Sequence, residues 1–296
     1  MKKLIRKLIL LFSLFTLMMG LSACSTNSHS SHPKKLTHIN VVATTNFYGE
    51  IAQEILGDHG TVTSNIDSPN IDPHDFEPTT KTAKIIAKGN LIIYNGLGYD
   101  TWVERLQGKK YLSVAKLVHA KNGANEHLWY DPHNIDILVN ALVKQYIELL
   151  PQYKTDFQKN ATQYKQKLTT LTNKMAQIKK IKTNTHVAVS EPVMNYALHQ
   201  MGFKIVDEYF AMAIEEGSDP SYTDIRNLQN DIKYHHIAFF VLNKQSDSKI
   251  VNNMVTLCQK EKIPVIKVTE TMPANDSYIQ WFNNELNQIL KVVNDA

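Results

Sequence analysis

One long amphipathic stretch lies in the middle of the chain and constrains the fold more than any other feature. Between Pro151 and Ile181, apolar residues recur at alternating spacings of four and three, with Lys, Gln, Thr and Asn in the gaps. This pattern predicts a single helix with one apolar stripe, begun by Pro151 near its first turn. About 28 residues at 1.5 Å each extend roughly 40 Å, more than a small domain needs. We interpret it as a rigid strut between two lobes, with a coiled-coil segment as the alternative.

Short apolar segments alternate with helical patterns on both sides of this helix. Residues 39–45 and 91–94 before it, and residues 186–189 and 237–242 after it, have the composition of buried strands. Such alternation is typical of a parallel sheet covered on both faces. The sequence therefore predicts an α/β fold of two lobes, each a mostly parallel sheet flanked by helices, linked by one long α-helix. The predicted boundaries are 38–150 for the N-terminal lobe, 151–182 for the linking helix and 183–296 for the C-terminal lobe.

The N-terminus has the pattern of an export signal. Four basic residues precede an uncharged, mostly apolar run from Leu8 to Leu21, which ends in Leu-Ser-Ala before Cys24. That run is shorter than the ~20 residues of a spanning helix, and its end resembles a bacterial lipobox. We predict a signal peptide over residues 1–23, lipidation of Cys24 and a flexible tether over 24–37, giving an extracytoplasmic protein anchored to the cell membrane. A plain signal peptide and an uncleaved anchor helix are the alternatives.

Removing this segment changes the charge of what remains. Six of the 32 basic residues and none of the 28 acidic residues lie in residues 1–37, so the body carries 26 against 28 instead of a net +4. The body therefore lacks the excess of basic residues that is typical of nucleic-acid-binding proteins, and we expect no nucleic acid as a partner. With Cys24 lipidated, Cys258 is the one thiol left in the body. A metal site must therefore use His, Asp, Glu or water.

A proline-bounded loop contains the first candidate ligand. His74 lies between Pro73 and Pro78, and prolines stiffen a loop by fixing φ. Its imidazole suits Zn, Mn, Cu, Fe or Ni, and a neighbouring acid such as Asp72 or Glu77 can orient the ring. The alternative is an ordinary surface histidine in a turn.

The second candidate is His127, which comes two residues before Trp129 and just ahead of a predicted helix. Asp131 is a plausible N-cap for that helix, and Pro132 suits its first turn. His127 beside an aromatic ring can enter a cleft from which water is excluded. His133 falls inside the first helical turn, where we expect a surface residue.

Together these segments resemble the metal-binding zinc/manganese family of ABC-transporter substrate-binding lipoproteins. The resemblance covers nearly the whole chain from His38. Its most specific parts are the Asp-Pro-His-Asp-Phe-Glu-Pro run at 72–78 and the His-Leu-Trp at 127–129; Ser-Glu-Pro at 190–192 and Glu-Glu-Gly-Ser-Asp-Pro at 215–220 also match. The family implies two lobes with one Zn²⁺ or Mn²⁺ in the cleft, two ligands from each lobe, and docking on a permease driven by a cytoplasmic ATPase. We expect a monomer that is not an enzyme.

The resemblance also implies the ligand set. His74 and His127 match the two N-lobe histidines, and Glu191 matches the third position, where many zinc relatives have histidine. Glu270 matches the fourth position, usually aspartate, with Asp276 as the nearby substitute. Two imidazoles with two carboxylates favour Mn²⁺ more than three imidazoles do, yet Zn²⁺ accepts the same ligands and generally binds more tightly. The local sequence motifs slightly favour zinc as the bound metal.

Two other functions fit parts of the sequence. A surface adhesin lipoprotein would use the metal only to stabilise its fold. A metallohydrolase would need an open coordination position and a general base, and the sequence has no HisGluxxHis helix. His29, His32 and His38 form either a metal-collecting tract or an unremarkable polar tail.

Overall fold

A computed structural model describes residues 36–71, 73, 76–181, 184–246 and 248–295. Cys24, the predicted signal peptide, most of the predicted tether and His74 lie outside the described residues. From Thr37 to the C-terminus the chain forms one compact unit. Within the described ranges, no helix combines the length and apolar character needed to cross a bilayer.

The N-terminal lobe is built on a four-stranded parallel sheet with the order β2-β1-β3-β4. Its elements are β1 (Ile39–Thr45), α1 (Asn46–Leu56), β2 (Gly60–Ile66), α2 (Thr80–Lys88), β3 (Leu91–Tyr94), β4 (Tyr111–Ser113), α3 (Val114–Leu117) and α4 (Pro132–Leu149). The side chains of β1 and β3 are almost all buried, because helices cover both faces of a parallel sheet. Asp131 caps α4 as predicted, its carboxylate accepting from the His133 N–H at 2.8 Å.

The C-terminal lobe repeats this plan with the order β6-β5-β7-β8, again all parallel. Its elements are β5 (His186–Val189), α6 (Asn195–Gln200), β6 (Lys204–Ile205), α7 (Glu208–Glu215), α8 (Tyr222–Lys233), β7 (Phe240–Asn243), α9 (Lys249–Lys260), β8 (Val265–Val268) and α10 (Tyr278–Asp295). Strand β7 begins three residues later than the sequence predicts. Cys258 is a free thiol buried in the core of this lobe.

The long helix α5 (Lys154–Ile181) lies between the two lobes and packs on α1, α4 and α10. Its buried side chains are the seven of the predicted stripe: Phe157, Ala161, Tyr164, Leu168, Leu171, Met175 and Ile178. Polar contacts extend to both sides, since Lys167 pairs with Glu54 of α1 at 2.8 Å while Lys174 donates to Asn283 and Asn287 of α10. The predicted fold class, two parallel-sheet lobes linked by one long helix, is confirmed.

The loops that follow the strands of the two sheets meet each other. Asn46, directly after β1, donates to the backbone carbonyl of Met272 at 2.6 Å. The Tyr278 hydroxyl donates to the carbonyl of Trp129 at 2.6 Å. Crevices outside the carboxyl ends of parallel strands are where α/β proteins bind their ligands. The junction between the lobes is therefore the expected place for a ligand site.

Candidate metal centre

His127 lies at the junction and its side chain is fully buried. It directly precedes a short 3-10 turn, Leu128–Tyr130, that leads into α4. Its ring lies 5.2 Å from the ring of Trp129 and 6.5 Å from that of Tyr99, measured between centroids. These aromatic groups form an apolar wall beside the imidazole, as the sequence predicts for Trp129.

Asn125 fixes the orientation of this imidazole. Its side-chain amide donates to the backbone carbonyl of Pro192 in the C-terminal lobe at 2.7 Å, so its Oδ1 points the other way. That oxygen lies 2.8 Å from His127 Nδ1 and also accepts from the His127 backbone N–H at 2.8 Å. Because an amide oxygen can only accept, Nδ1 carries a proton and, in the neutral ring, Nε2 presents its lone pair. A partner on the other nitrogen is typical of metal-binding histidines.

The backbone around His127 is held from both lobes. The carbonyl of Asn125 accepts from the hydroxyl of Tyr196 in the C-terminal lobe at 2.8 Å. The carbonyl of Glu126 accepts from the side-chain amide of Asn95 at 2.8 Å, and Asn95 itself accepts from the Tyr48 hydroxyl at 2.6 Å. The segment is therefore fixed in place although it has no regular secondary structure.

Asp100 supports this side of the site from within the N-terminal lobe. Its buried carboxylate accepts from the Thr44 hydroxyl at 2.5 Å and from the backbone N–H groups of Asn95 and Gly96 at 2.7 and 2.8 Å. Burial raises the pKa of Asp100 to about 6, with these hydrogen bonds acting in the opposite direction. The carboxylate thus ties β1 to the loop after β3.

Glu191 follows β5 at the carboxyl edge of the C-terminal sheet and is buried. The side-chain amide of Asn243, at the end of the neighbouring strand β7, donates to its carboxylate. Ser190 Oγ accepts from the Asn243 backbone N–H at 2.9 Å, which ties the two strand ends together. The structure therefore holds Glu191 in one orientation at the sheet edge.

Glu270 follows β8 at the same edge and is also buried. The Gln245 side chain accepts from the backbone N–H groups of Glu270 and Thr271 at 2.8 and 3.0 Å, which fixes the loop. The pKa of Tyr99 is raised well above its ordinary value, first by burial and then by the negative charge of Glu270. The Glu270 carboxylate thus lies beside a tyrosine of the opposite lobe, one that also neighbours His127.

Glu215 is an acid at the site, with a side chain only 7% exposed, for which the sequence predicts no individual role. Its Oε1 lies 3.5 Å from His127 Nε2, across the two lobes. Among described residues, Glu126, His127 and Glu215 form a group whose possible ligand atoms all lie within 4.8 Å of one another, and Glu191 and Glu270 are not members of it. The sequence signal for Glu215 is its place in the Glu-Glu-Gly-Ser-Asp-Pro segment; no metal-ligand spacing identifies it.

Sequence comparisons find a family model and named relatives that match this chain. The model of the family ZnuA, "Zinc-uptake complex component A periplasmic", matches residues 41–292. The manganese ABC transporter substrate-binding lipoprotein scaA of Streptococcus gordonii is 32% identical over 56% of this chain and 58% of its own length. The metal ABC transporter substrate-binding lipoprotein FimA of Streptococcus parasanguinis is 25% identical over 96% of this chain and 98% of its own.

The fold has a counterpart among solved structures. The periplasmic zinc-binding protein TroA of Treponema pallidum superposes with a TM-score of 0.72, covering 86% of this chain and 99% of that one at 18% identity. At this identity the likeness concerns the fold alone. Because the family match extends over most of the described residues, the chain belongs to the ZnuA family.

Proposed function

We propose that this protein captures one Zn²⁺ or Mn²⁺ between its lobes and delivers it to an ABC import permease with a cytoplasmic ATPase. The observation that carries the proposal is the buried imidazole of His127. Asn125 holds its Nδ1, and its Nε2 is directed at a carboxylate of the opposite lobe. The Streptococcus gordonii relative is named for manganese, and the Treponema pallidum structure is described as zinc-binding. We place the protein outside the cytoplasm, anchored through a lipid on Cys24, because two relatives are named lipoproteins.

We propose His74 and His127 from the N-terminal lobe, and Glu191 and Glu270 from the C-terminal lobe, as ligands. Glu191 and Glu270 follow strands at one sheet edge, and Glu270 neighbours Tyr99 beside His127. Imidazole and carboxylate ligands serve both Zn²⁺ and Mn²⁺. We place zinc slightly ahead because it generally forms the tighter complex with a given ligand set. The protein acts as a monomer and without enzymatic activity in this proposal.

The adhesin alternative has less support, because the names of the relatives specify substrate binding for a transporter. The two functions differ in whether the protein must release the ion. A transported ion must be released, whereas a purely structural ion need not be. Deletion of the gene should therefore impair growth in metal-limited medium and spare growth in rich medium; normal growth under metal limitation would contradict the transport role.

Direct binding is the main test. Full-length protein, stripped of metal with a chelator, should bind about one Zn²⁺ or one Mn²⁺ per chain in isothermal titration calorimetry. Mg²⁺ serves as the control, because it prefers oxygen ligands and octahedral geometry and should bind poorly to a site with imidazoles. Absence of saturable Zn²⁺ and Mn²⁺ binding would overturn the proposal. Metal analysis of protein purified from its own host then identifies the ion carried in the cell.

Asn125 offers a test of the site that leaves every proposed ligand in place. We expect Asn125→Ala to weaken Zn²⁺ binding by about 10- to 100-fold, the usual effect of removing the group that orients a metal-binding histidine. Asn122→Ala is the matched control, since Asn122 is an exposed residue of the same type three positions earlier. Equal affinities for the two variants, measured by competition with a chromophoric chelator, would show that Asn125 does not position the ligand.

A further inference from the structure

Glu215 and His127 face each other across the junction of the lobes. The exposed fractions of their side chains are 7% and 0%, so both groups are withdrawn from solvent. His127 belongs to the N-terminal lobe, whereas Glu215 is the last residue of α7 in the C-terminal lobe. A contact between them therefore joins the two halves of the proposed site.

The separation of the two atoms fits a shared ion better than a direct hydrogen bond. Charge-assisted N–H···O bonds are about 2.7–2.9 Å long, and His127 Nε2 lies 3.5 Å from Glu215 Oε1. Two ligand atoms, each about 2.0–2.2 Å from one ion with tetrahedral angles, lie roughly 3.3–3.6 Å apart. Because Asn125 keeps the proton of the neutral ring on Nδ1, the lone pair of Nε2 is directed towards the carboxylate.

The position of Glu215 in α7 is unfavourable for a carboxylate on its own. The C-terminal end of a helix carries partial negative charge, so an acid in the last turn is destabilising. The helix end is fixed by a Schellman motif: Gly217 has φ +66°, its N–H donates to the Ile214 carbonyl at 3.0 Å, and the Ser218 N–H donates to the Ala213 carbonyl at 2.8 Å. Glu215 lies in the helical turn that ends in this motif and its carboxylate faces His127, while its neighbour Glu216 is exposed. A cation at the junction would offset the cost of burying this carboxylate beside the helix end.

We propose that Glu215 is a further ligand of the transported ion and a determinant of its selectivity. The inference rests on the proposed function. With the four ligands proposed above, Glu215 brings the carboxylates to three and the ligands to five. Zn²⁺ generally takes four ligands in closed protein sites, whereas Mn²⁺ suits oxygen-rich sites of higher coordination number. Glu215 therefore favours Mn²⁺ and reduces the difference by which Zn²⁺ binds more tightly than Mn²⁺.

The test compares Glu215→Gln with Glu216→Gln, which removes the same charge from the adjacent exposed residue. In titrations of the full-length protein, we expect Glu215→Gln to raise the Kd for Mn²⁺ about tenfold or more, and the Kd for Zn²⁺ by less. Glu216→Gln should leave both constants unchanged. The metal-free Glu215→Gln variant should have a Tm equal to or above that of the wild type, because a buried charge has been removed.

Two results would overturn the inference. The first is wild-type Kd values for both ions in Glu215→Gln while His127→Ala loses binding; the proposed function would then stand and only the role of Glu215 would fail. The second is a lower metal-free Tm with unchanged Kd values, which would make Glu215 a structural partner of His127. A wild-type protein that binds neither ion would instead refute the proposed function.

Discussion

Replacing His127 with alanine is expected to weaken Zn²⁺ and Mn²⁺ binding by more than 100-fold without unfolding the protein. Loss of a group that only orients a ligand costs up to about 100-fold, and His127 is proposed to bind the ion itself. Its imidazole is buried, oriented by Asn125 and directed at a carboxylate of the opposite lobe. Removing the ring would eliminate the proposed metal–nitrogen bond and leave Glu215 facing a cavity. Calorimetric titration of chelator-treated protein measures the effect.

Two further variants separate ligation from folding. His127→Gln keeps much of the side-chain volume and polarity and should lose binding as His127→Ala does. His133→Ala removes an exposed histidine six residues away, in the first turn of α4, and should bind as the wild type does. Thermal unfolding of the metal-free proteins should show each variant folded. Wild-type metal affinity in both His127 variants would show that His127 is not a ligand.

The fold could be predicted largely because its main elements have strong internal periodicity. The stripe of α5 places seven apolar residues on one face, and all seven are buried. Strand β1 contains three consecutive apolar residues, Val41 to Ala43, all buried, and such a run needs a sheet that is covered on both faces. Local chemistry also predicted the Asp131 cap of α4, which is confirmed. A cap of the same kind is present at α8, where Ser221 accepts from the Asp224 N–H at 3.2 Å.

Helix α7 could not be predicted in the same way. Within Glu208–Glu215, Phe210 and Ala211 are buried while Tyr209 and Met212 are exposed, so hydrophobicity does not mark one face. Its eight residues are also too few to establish a helical period. The end of this helix near Gly217 can be predicted from the sequence, because glycine readily adopts a positive φ. The direction of the Glu215 side chain, by contrast, depends on how the helix packs in the folded protein.

The candidate site depends on contacts between residues far apart in sequence. His127 and Glu215 are separated by 88 positions, and no spacing rule connects them. The sequence identified His127 through its place before Trp129 and a helix start, and it located Glu191 and Glu270 at the ends of strands through family resemblance. Their roles as ligands remain predictions, as do the ligand role of His74 and the lipidation of Cys24.

Glu285 links the two lobes beneath the loop that contains Glu270. Its buried carboxylate accepts from the Tyr130 hydroxyl of the N-terminal lobe at 2.9 Å and from the Thr269 backbone N–H at 3.1 Å. The Tyr130 oxygen also lies 2.8 Å from the Thr269 carbonyl oxygen, so the single hydrogen of this hydroxyl is shared between two acceptors. Burial raises the pKa of Glu285 from 4.5 to about 8, against the lowering effect of these hydrogen bonds. Ionising this carboxyl group is therefore costly in the folded protein.

This raised pKa makes stability depend on pH in a defined direction. Between the unfolded pKa of about 4.5 and the folded pKa of about 8, the unfolded chain releases the proton of Glu285 while the folded chain keeps it. The free energy of unfolding should therefore decrease as pH rises through this window, with a slope approaching about 1.4 kcal/mol per pH unit from this group. Glu285→Gln removes the titration, so its stability relative to the wild type should increase from pH 5 to pH 8.

Urea unfolding of metal-free protein at several pH values measures this difference directly. Other titrating groups cancel between wild type and Glu285→Gln, so the difference in unfolding free energy isolates Glu285. It should change by several kcal/mol, at most on the order of 4 kcal/mol, between pH 5 and pH 8. Gln280→Ala is the control, because Gln280 is an exposed residue of the same helix without a titrating group, so its removal should give a pH-independent difference. A flat difference for Glu285→Gln would mean that the carboxylate is ionised in the folded protein throughout this range, held by Tyr130 and Thr269.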